Sequence, residues 1–320
     1  MQVYTHKTGF PENMRGGVVA IGNFDGVHKG HQVLINSAIQ KAKALGKPCG
    51  ILSFSPHPRR FFNPDSAPFR LTSIKQKARV LKSLGVDFVA IEAFDRELSS
   101  LSPLEFVTKI LVEKYGFSFV VAGFNFYFGA KRAGNADDLM RMAKENGIDV
   151  MIQDEVKSGD RNYSSSSIRD YIREGEFAPA NEMLGWRWEI EGEVLHGDKR
   201  GRELGYPTAN QSLKDYLRPP YGVYAVRASL KQDHLKPGKW YHGVANLGIR
   251  PMFEVDEPLL ETCIFDFNDD IYGQNLRVQP VMRLRGEQYF PNVEDLMEQM
   301  KRDELAARRI LENYNEQISV

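Results

Sequence analysis

Apolar and polar positions follow two different rhythms along this chain. From residue 16 to about 185, short β-rich runs take turns with helical stripes. Residues 17–21 read as a strand that ends in a glycine-rich loop. Leu34, Ile35, Ala38, Ile39, Ala42 and Leu45 then recur at helical spacing, with Gly46 placed to end the helix. Residues 51–54 read as the next strand, and Ile74, Ala78, Leu81 and Leu84 form one apolar helix stripe closed by Gly85. Residues 86–91, 117–122 and 148–152 give three more strands, with a polar helix predicted over 136–146. A further helix start is marked by Ser102 as cap, Pro103 in the first turn and Glu105 completing a capping box. Strands alternating with helices imply a parallel sheet covered on both faces. Ligands bind such sheets at the carboxyl ends of the strands, which is where the loop 22–31 falls.

After Trp186 the rhythm changes. β-like runs at 188–195, 221–229, 240–246, 260–267 and 276–284 are separated by Gly, Pro and Asp, without an intervening helix. That spacing predicts a small antiparallel barrel or sandwich. Residues 293–314 return to helical period, with Leu296, Met300, Leu305, Ile310 and Leu311 as apolar positions. The pattern predicts two domains, an α/β domain over 1–185 and a mainly β domain with a terminal helix over 186–320.

Composition narrows the function classes. Forty-two basic side chains balance forty-two acidic ones in 320 residues, so no global field favours nucleic acid or an anionic membrane. Cys49 and Cys263 form no CxxC pair, which argues against a disulfide scaffold or a structural zinc site. Residues 1–6 lack a signal-peptide pattern, and no apolar run approaches the ~18 residues of a spanning helix. A cytoplasmic enzyme is expected, with neither nucleic acid nor membrane as partner; a homo-oligomer stays open.

Two stretches carry candidate chemistry. In the first, Gly22, Gly26 and Gly30 let backbone approach a phosphate, while His28 and His31 stand at the entry to a helix whose free N–H groups face outward. Two imidazoles three residues apart there can donate hydrogen bonds to one phosphoryl group during in-line displacement. In the second, Gly205 and Pro207 build a tight turn, and Thr208 and Asn210 present oxygens of the kind that hold Mg²⁺ against nucleotide phosphates. No GxxxxGK[ST] P-loop is present.

The sequence His28-Lys29-Gly30-His31 resembles the HxGH nucleotidyltransferases, and residues 22–28 resemble more narrowly the Rossmann-like adenylyltransferase module of the bacterial bifunctional riboflavin kinase/FAD synthetases. Residues 54–59 with Phe61 and Phe62, residues 67–72, and residues 123–129 are similar to further stretches of that family. Residues 164–169 resemble its Ser-Ser-Thr-x-Ile-Arg phosphate motif. By the resemblance, Gly22, Phe24, Asp25, Gly26, Asn125, Ser164, Ser165, Ser166 and Arg169 bind nucleotide, and Pro56, Pro58, Phe62 and Phe128 line a flavin.

Residues 196–210 resemble the riboflavin kinase module, as do residues 243–251, 261–267, 270–273 and 283–287 with Phe290. The resemblance assigns Gly197, Gly201, Arg202, Gly205, Pro207, Thr208 and Asn210 to nucleotide, Thr208 and Asn210 to the metal, and Asn246 and Arg285 to flavin. It makes Glu261 the general base for a flavin hydroxyl.

It implies two ATP-dependent steps with Mg²⁺: riboflavin to FMN, then FMN to FAD with release of pyrophosphate. The chain departs from the family at Phe124, Tyr127, Asn162, Ser166 and Cys263; Arg161 lies one position before the usual basic residue. A kinase with a weak adenylyl domain, a flavin-sensing regulator and a different HxGH transferase are the alternatives.

Overall fold

A computed structural model describes residues 1–5, 8–158, 161–196, 205–213, 215–230, 239–249 and 258–314. The chain forms two compact units, Met1–Ala67 with Lys77–Ser164, and Pro68–Gln76 with Ser165–Val320. This division falls earlier in the chain than the change of rhythm near 185.

The first unit is built on a six-stranded parallel sheet. Strands β1 (Gln2–Thr5), β2 (Val18–Ile21), β3 (Cys49–Ser55), β4 (Phe88–Ala93), β5 (Phe119–Gly123) and β6 (Asp149–Gln153) lie in the order β1-β4-β3-β2-β5-β6. All four residues of β2 are buried, as expected for a central strand covered on both faces. Helix α1 (Lys29–Leu45) buries Leu34, Ile35, Ala38, Ile39 and Ala42, while Leu45 is exposed. Gly46 ends it with φ 64°, its N–H bonded to the carbonyls of Ala42 and Lys43.

Three short or medium helices follow: α2 (Pro58–Phe62), α3 (Ile74–Ser83) and α4 (Arg96–Ser100). From Lys77 onward α3 belongs to the first unit, and its buried positions there are Lys77, Val80 and Leu81. Ile74, expected on the apolar stripe, is exposed. Periodicity misplaced this stripe because a buried lysine with distant partners looks polar in the sequence.

The predicted capping box at α5 (Pro103–Glu105) is present: Ser102 Oγ accepts from Glu105 N–H at 3.2 Å, and Glu105 Oε2 accepts from Ser102 N–H at 2.9 Å. The helix runs on as π-type turns over Phe106–Lys114, a register that side-chain spacing does not reveal. Helix α6 (Ala136–Glu145) then leads to β6. The core under the sheet gathers Val19, Ile21, Leu52, Phe88, Val107, Leu111 and Val120.

A two-strand hairpin of β7 (Lys157–Ser158) and β8 (Arg161–Asn162) closes the first unit. The second unit contains α7 (Ser165–Glu174) and α8 (Phe177–Leu184), ahead of six antiparallel strands. These are β9 (Ile190–Glu193), β10 (Ala209–Ser212), β11 (Gly222–Leu230), β12 (Trp240–Ile249), β13 (Pro258–Ile264) and β14 (Asn275–Arg285), in the order β10-β13-β12-β11-β14-β9. A bridge between Leu195 and Asn210 brings the β9 end of the sheet to β10 and nearly closes a barrel. Helix α9 (Val293–Glu312) packs Ala307 and Leu311 against Ala225 and Phe265. Leu305, expected on its apolar face, is exposed; the small Ala307 takes the place against the sheet. Among the described residues no helix is long and apolar enough to cross a membrane.

Candidate active sites

In the first unit the loop after β2 turns sharply before α1. Gly26 has φ 87°, but Phe24 (φ 48°) and Val27 (φ 41°) are also left-handed. A β-branched residue there is strained by roughly 1–3 kcal/mol and persists only when its surroundings over-determine it. Both side chains are buried, so core packing supplies that constraint. His28 caps α1: its Nδ1 accepts from His31 N–H at 3.3 Å. With Nδ1 an acceptor, the neutral ring carries its proton on Nε2, the nitrogen able to donate. The two imidazoles stack with centroids 3.6 Å apart and planes 20° from parallel. Phe24 stands edge-on to His31 at 5.2 Å. A Cβ on Gly30 would lie 3.2 Å from His28 Cε1 and 3.1 Å from Tyr163 Cβ, so only glycine fits without a shift. The arrangement places a hydrogen-bond donor and a second imidazole together at a helix start.

The structure places the other predicted residues of this site unevenly. Asp25 is buried on the same loop, and Asn125 is exposed on the turn after β5. Pro58 opens α2, capped by His57, whose Nδ1 accepts from Arg59 N–H at 3.1 Å. Phe62 is 62% exposed, with Phe61 and Phe94 edge-on to it at 5.2 and 5.8 Å. Sequence reading missed Phe94, which directly follows β4 and carries no motif. Phe128 is buried, stacked on Phe126 and tilted against Phe106, so it belongs to the core. Arg132 holds its guanidinium 4.7 Å over the Tyr127 ring, so a cation accompanies this departure from the family pattern.

Ser164 precedes α7, and Ser165 and Ser166 form its first turn. Arg169, in the second unit, is 8% exposed; its Nε donates to Phe69 O at 2.8 Å and its guanidinium lies over the Phe69 ring.

The second site is set by strand register. Asn210 of β10 lies opposite Glu261 of β13, which lies opposite Asn246 of β12. Directly opposed residues share a face, so a carboxylate stands between two carboxamides in one cross-strand row. Asn246 Nδ2 is 3.5 Å from Glu261 Oε2. Asn210 is 6% exposed, and its Oδ1 has no hydrogen-bond partner among the described residues. Thr208 is half-buried immediately before β10, and Pro207 is exposed beside it. Gly205 turns with φ 81°. Gly197, Gly201 and Arg202 lie outside the described residues.

Helix α9 holds the edges of this site. Arg285 forms a forked ion pair with Asp303, Nη2 to Oδ2 at 2.8 Å and Nε to Oδ2 at 3.0 Å, and Gln299 donates to the same carboxylate. Tyr206 donates to Glu304 Oε2 at 3.0 Å; Glu304 also accepts from Arg308 Nε at 2.9 Å, and Arg308 forks onto Asp266. Burial, then the bond to Glu304, pushes the Tyr206 hydroxyl up to about 12. Sequence reading missed Glu304; its spacing of four from Arg308 was the available signal. Among the described residues no group of three or more His, Cys, Asp and Glu side chains could hold a metal, so His28 and His31 are not part of such a centre.

Comparison with known proteins gives both halves a family. The FAD synthetase family model matches residues 10–167 and the riboflavin kinase model matches residues 184–311. The bifunctional riboflavin kinase/FMN adenylyltransferase of Escherichia coli K12 is 36% identical, over 92% of each chain. The protein of that description from Pseudomonas fluorescens is 39% identical, over 94% of each. The Bacillus subtilis relative is 34% identical over 94% of this chain and 95% of its own. A crystal structure described as a macrolide-efflux protein from Streptococcus pneumoniae shares the fold, with a TM-score of 0.80 and 30% identity over 98% of this chain and 99% of that one. The chain belongs to the bifunctional riboflavin kinase/FMN adenylyltransferase family.

Proposed function

We propose that the protein makes FAD from riboflavin in two ATP-dependent steps, one in each unit. The barrel unit phosphorylates riboflavin to FMN, and the parallel-sheet unit transfers AMP from a second ATP to FMN, releasing pyrophosphate. The single observation that carries the two-site reading is the coexistence of the stacked His28–His31 pair at a helix start and the Asn210–Glu261–Asn246 row on the barrel.

In the kinase step Glu261 takes the proton from the 5′-hydroxyl as that oxygen attacks the γ-phosphorus and ADP leaves. Asn246 sits within reach of the carboxylate and orients it. Thr208 and Asn210 would hold Mg²⁺, supported by the buried Asn210 Oδ1 that no donor among the described residues satisfies. When bound, the ion neutralises charge on the nucleotide phosphates. Arg285, held by Asp303, frames the flavin side together with Asn246.

In the adenylyl step an oxygen of the FMN phosphate attacks the α-phosphorus of ATP and pyrophosphate departs. His28 donates through Nε2 to the oxygens that gain charge, and His31 flanks it. Gly22, Phe24, Asp25 and Gly26 shape the loop, and Asn125 and Ser164 contact the nucleotide. Pro56, Pro58 and the exposed Phe62 receive the isoalloxazine, with the buried Phe128 assigned to the same side by the resemblance. Arg169, assigned to nucleotide by the resemblance, also donates through Nε to Phe69 O. The Arg132 cation over Tyr127 favours an active adenylyl site over a kinase-only protein.

Incubation with riboflavin, ATP and Mg²⁺, followed by chromatography of the flavins over time, tests the reading. FMN rising first and FAD following is the expected course; FMN accumulating without FAD would remove the adenylyl half.

A further inference from the structure

We propose that Lys77 is a positioning residue of the adenylyl site, pinning the carbonyl of Asn23 and thereby fixing the strained turn from which His28 and His31 project. Lys77 is 8% exposed on α3. Its ammonium donates to Asn23 O at 2.5 Å and to Ser53 Oγ at 3.1 Å. Ser53 of β3, fully buried, donates its own hydroxyl proton to the same Asn23 carbonyl at 3.1 Å. Two elements therefore converge on one backbone oxygen. A buried ammonium is costly unless its donors are satisfied, so a lysine in this place implies a tight geometric demand.

The place itself explains that demand. Asn23 is where the chain leaves β2, just after Gly22 N–H bonds Leu52 O at 3.1 Å. The next residue, Phe24, already has positive φ, as do Gly26 and Val27, and His28 then caps α1. Rotating the Asn23 peptide would relax these dihedrals and swing His28 away from His31. A charge-assisted bond to that carbonyl is stronger than a neutral one and resists the rotation. Lys77 touches neither reacting group in this account; it acts through the loop.

The inference rests on the adenylyl reading of this loop, and its test keeps the two separable. Lys77→Met keeps the length and loses the donor, while Lys77→Arg keeps the charge. Amide hydrogen exchange over residues 24–28 in the ligand-free protein is expected to quicken by about tenfold or more in Lys77→Met. In that variant kcat for FMN adenylylation should fall about 10- to 100-fold, as a misplaced catalytic group does, with KM for ATP changed much less. Riboflavin phosphorylation should be unaltered, and Lys77→Arg should recover part of the loss.

A folded Lys77→Met protein with wild-type loop exchange and wild-type adenylylation overturns the proposal. So does equal loss of both activities in the Met and Arg variants, which would mark a general folding role. Should Lys77→Met not fold, Ser53→Ala is expected to show the same pattern more weakly, and unchanged loop exchange there counts against the proposal. If the wild type makes no FAD yet Lys77→Met loosens the loop, the anchoring stands and the adenylyl reading fails.

Discussion

Glu261 faces Asn210 directly across the β10–β13 pair, so the candidate base and the candidate metal ligand meet through strand register. Side chains alternate along a strand, and a slip of one residue would send the two to opposite faces. The Asn210–Glu261–Asn246 row of the candidate kinase site is therefore fixed by the barrel's own pairing. The candidate adenylyl site is built differently, on a loop whose conformation is strained at Phe24 and Val27 and bonded from outside by Lys77.

Helix α9 should matter to phosphorylation through Tyr206. Glu304→Ala removes the acceptor of the Tyr206 hydroxyl and the partner of Arg308 Nε. Loss of a bond to a charged group, about 1.5–3 kcal/mol, predicts a drop of roughly 10- to 100-fold in kcat/KM for riboflavin, with FMN adenylylation unchanged. Steady-state kinetics of the two steps check this.

The same hydroxyl, raised by burial and then by this bond, sets an alkaline limit. The Tyr206 hydroxyl is raised to about 12 in the folded protein. A raised value means that the folded state holds the proton more tightly, so the contribution is full below the ordinary tyrosine value of about 10 and fades as pH rises through 12. The wild type should lose this part of its stability in that window, and Tyr206→Phe should show a smaller loss there. Thermal melts between pH 8 and 12 compare them.

Gly30→Ala should separate the two activities by a steric route. The new methyl would press on the His28 ring and on Tyr163. Displacing a catalytic group by about an ångström costs on the order of 100-fold. FAD formation should fall by about that factor while FMN formation continues, as assayed from FMN and from riboflavin respectively.

Ser102→Ala should destabilise the first unit without touching either site. It removes one half of the capping box at α5. The expected cost is about 1 kcal/mol, or roughly 2–4 °C in the melting temperature of a unit this size. Calorimetry reads it, and both activities at 25 °C should persist.

Both cysteines should resist thiol reagents in the native state. Burial, then the nearby charge of Asp87, pushes Cys49 up to about 12; burial, then Glu304, pushes Cys263 up to about 11. At pH 8 the reactive thiolate is then roughly one part in a thousand or fewer. Colorimetric thiol titration should find almost none in the folded protein and both after denaturation.

Much of this was legible in the sequence, and what was missed has common physical causes. Strongly periodic segments such as α1 and the central strands announced themselves because burial on a continuous face leaves an apolar trace. Two edge strands did not: Gln2–Thr5 and Ala209–Ser212 are short and partly polar, and only their pairing partners make them strands. The motif residues His28, His31, Asn210, Glu261 and Asn246 were named, but their alignment in one row or one stack depends on register and dihedrals. Lys77, Glu304 and Asp303 escaped notice for another reason. Each is a charged residue with at least one partner well beyond a helical turn (Asn23, Tyr206 and Arg285 respectively), and neither period nor motif encodes that distance.

The most direct test crosses two variants with two reactions. His31→Ala should convert riboflavin to FMN at the wild-type rate and stop there, while Asn210→Ala should leave riboflavin untouched yet convert added FMN to FAD. Mixed together, the two folded variants should restore FAD production from riboflavin, since FMN released by one serves the other. If either variant lost both reactions equally, or if the mixture made no FAD, the assignment of one reaction to each unit would be contradicted.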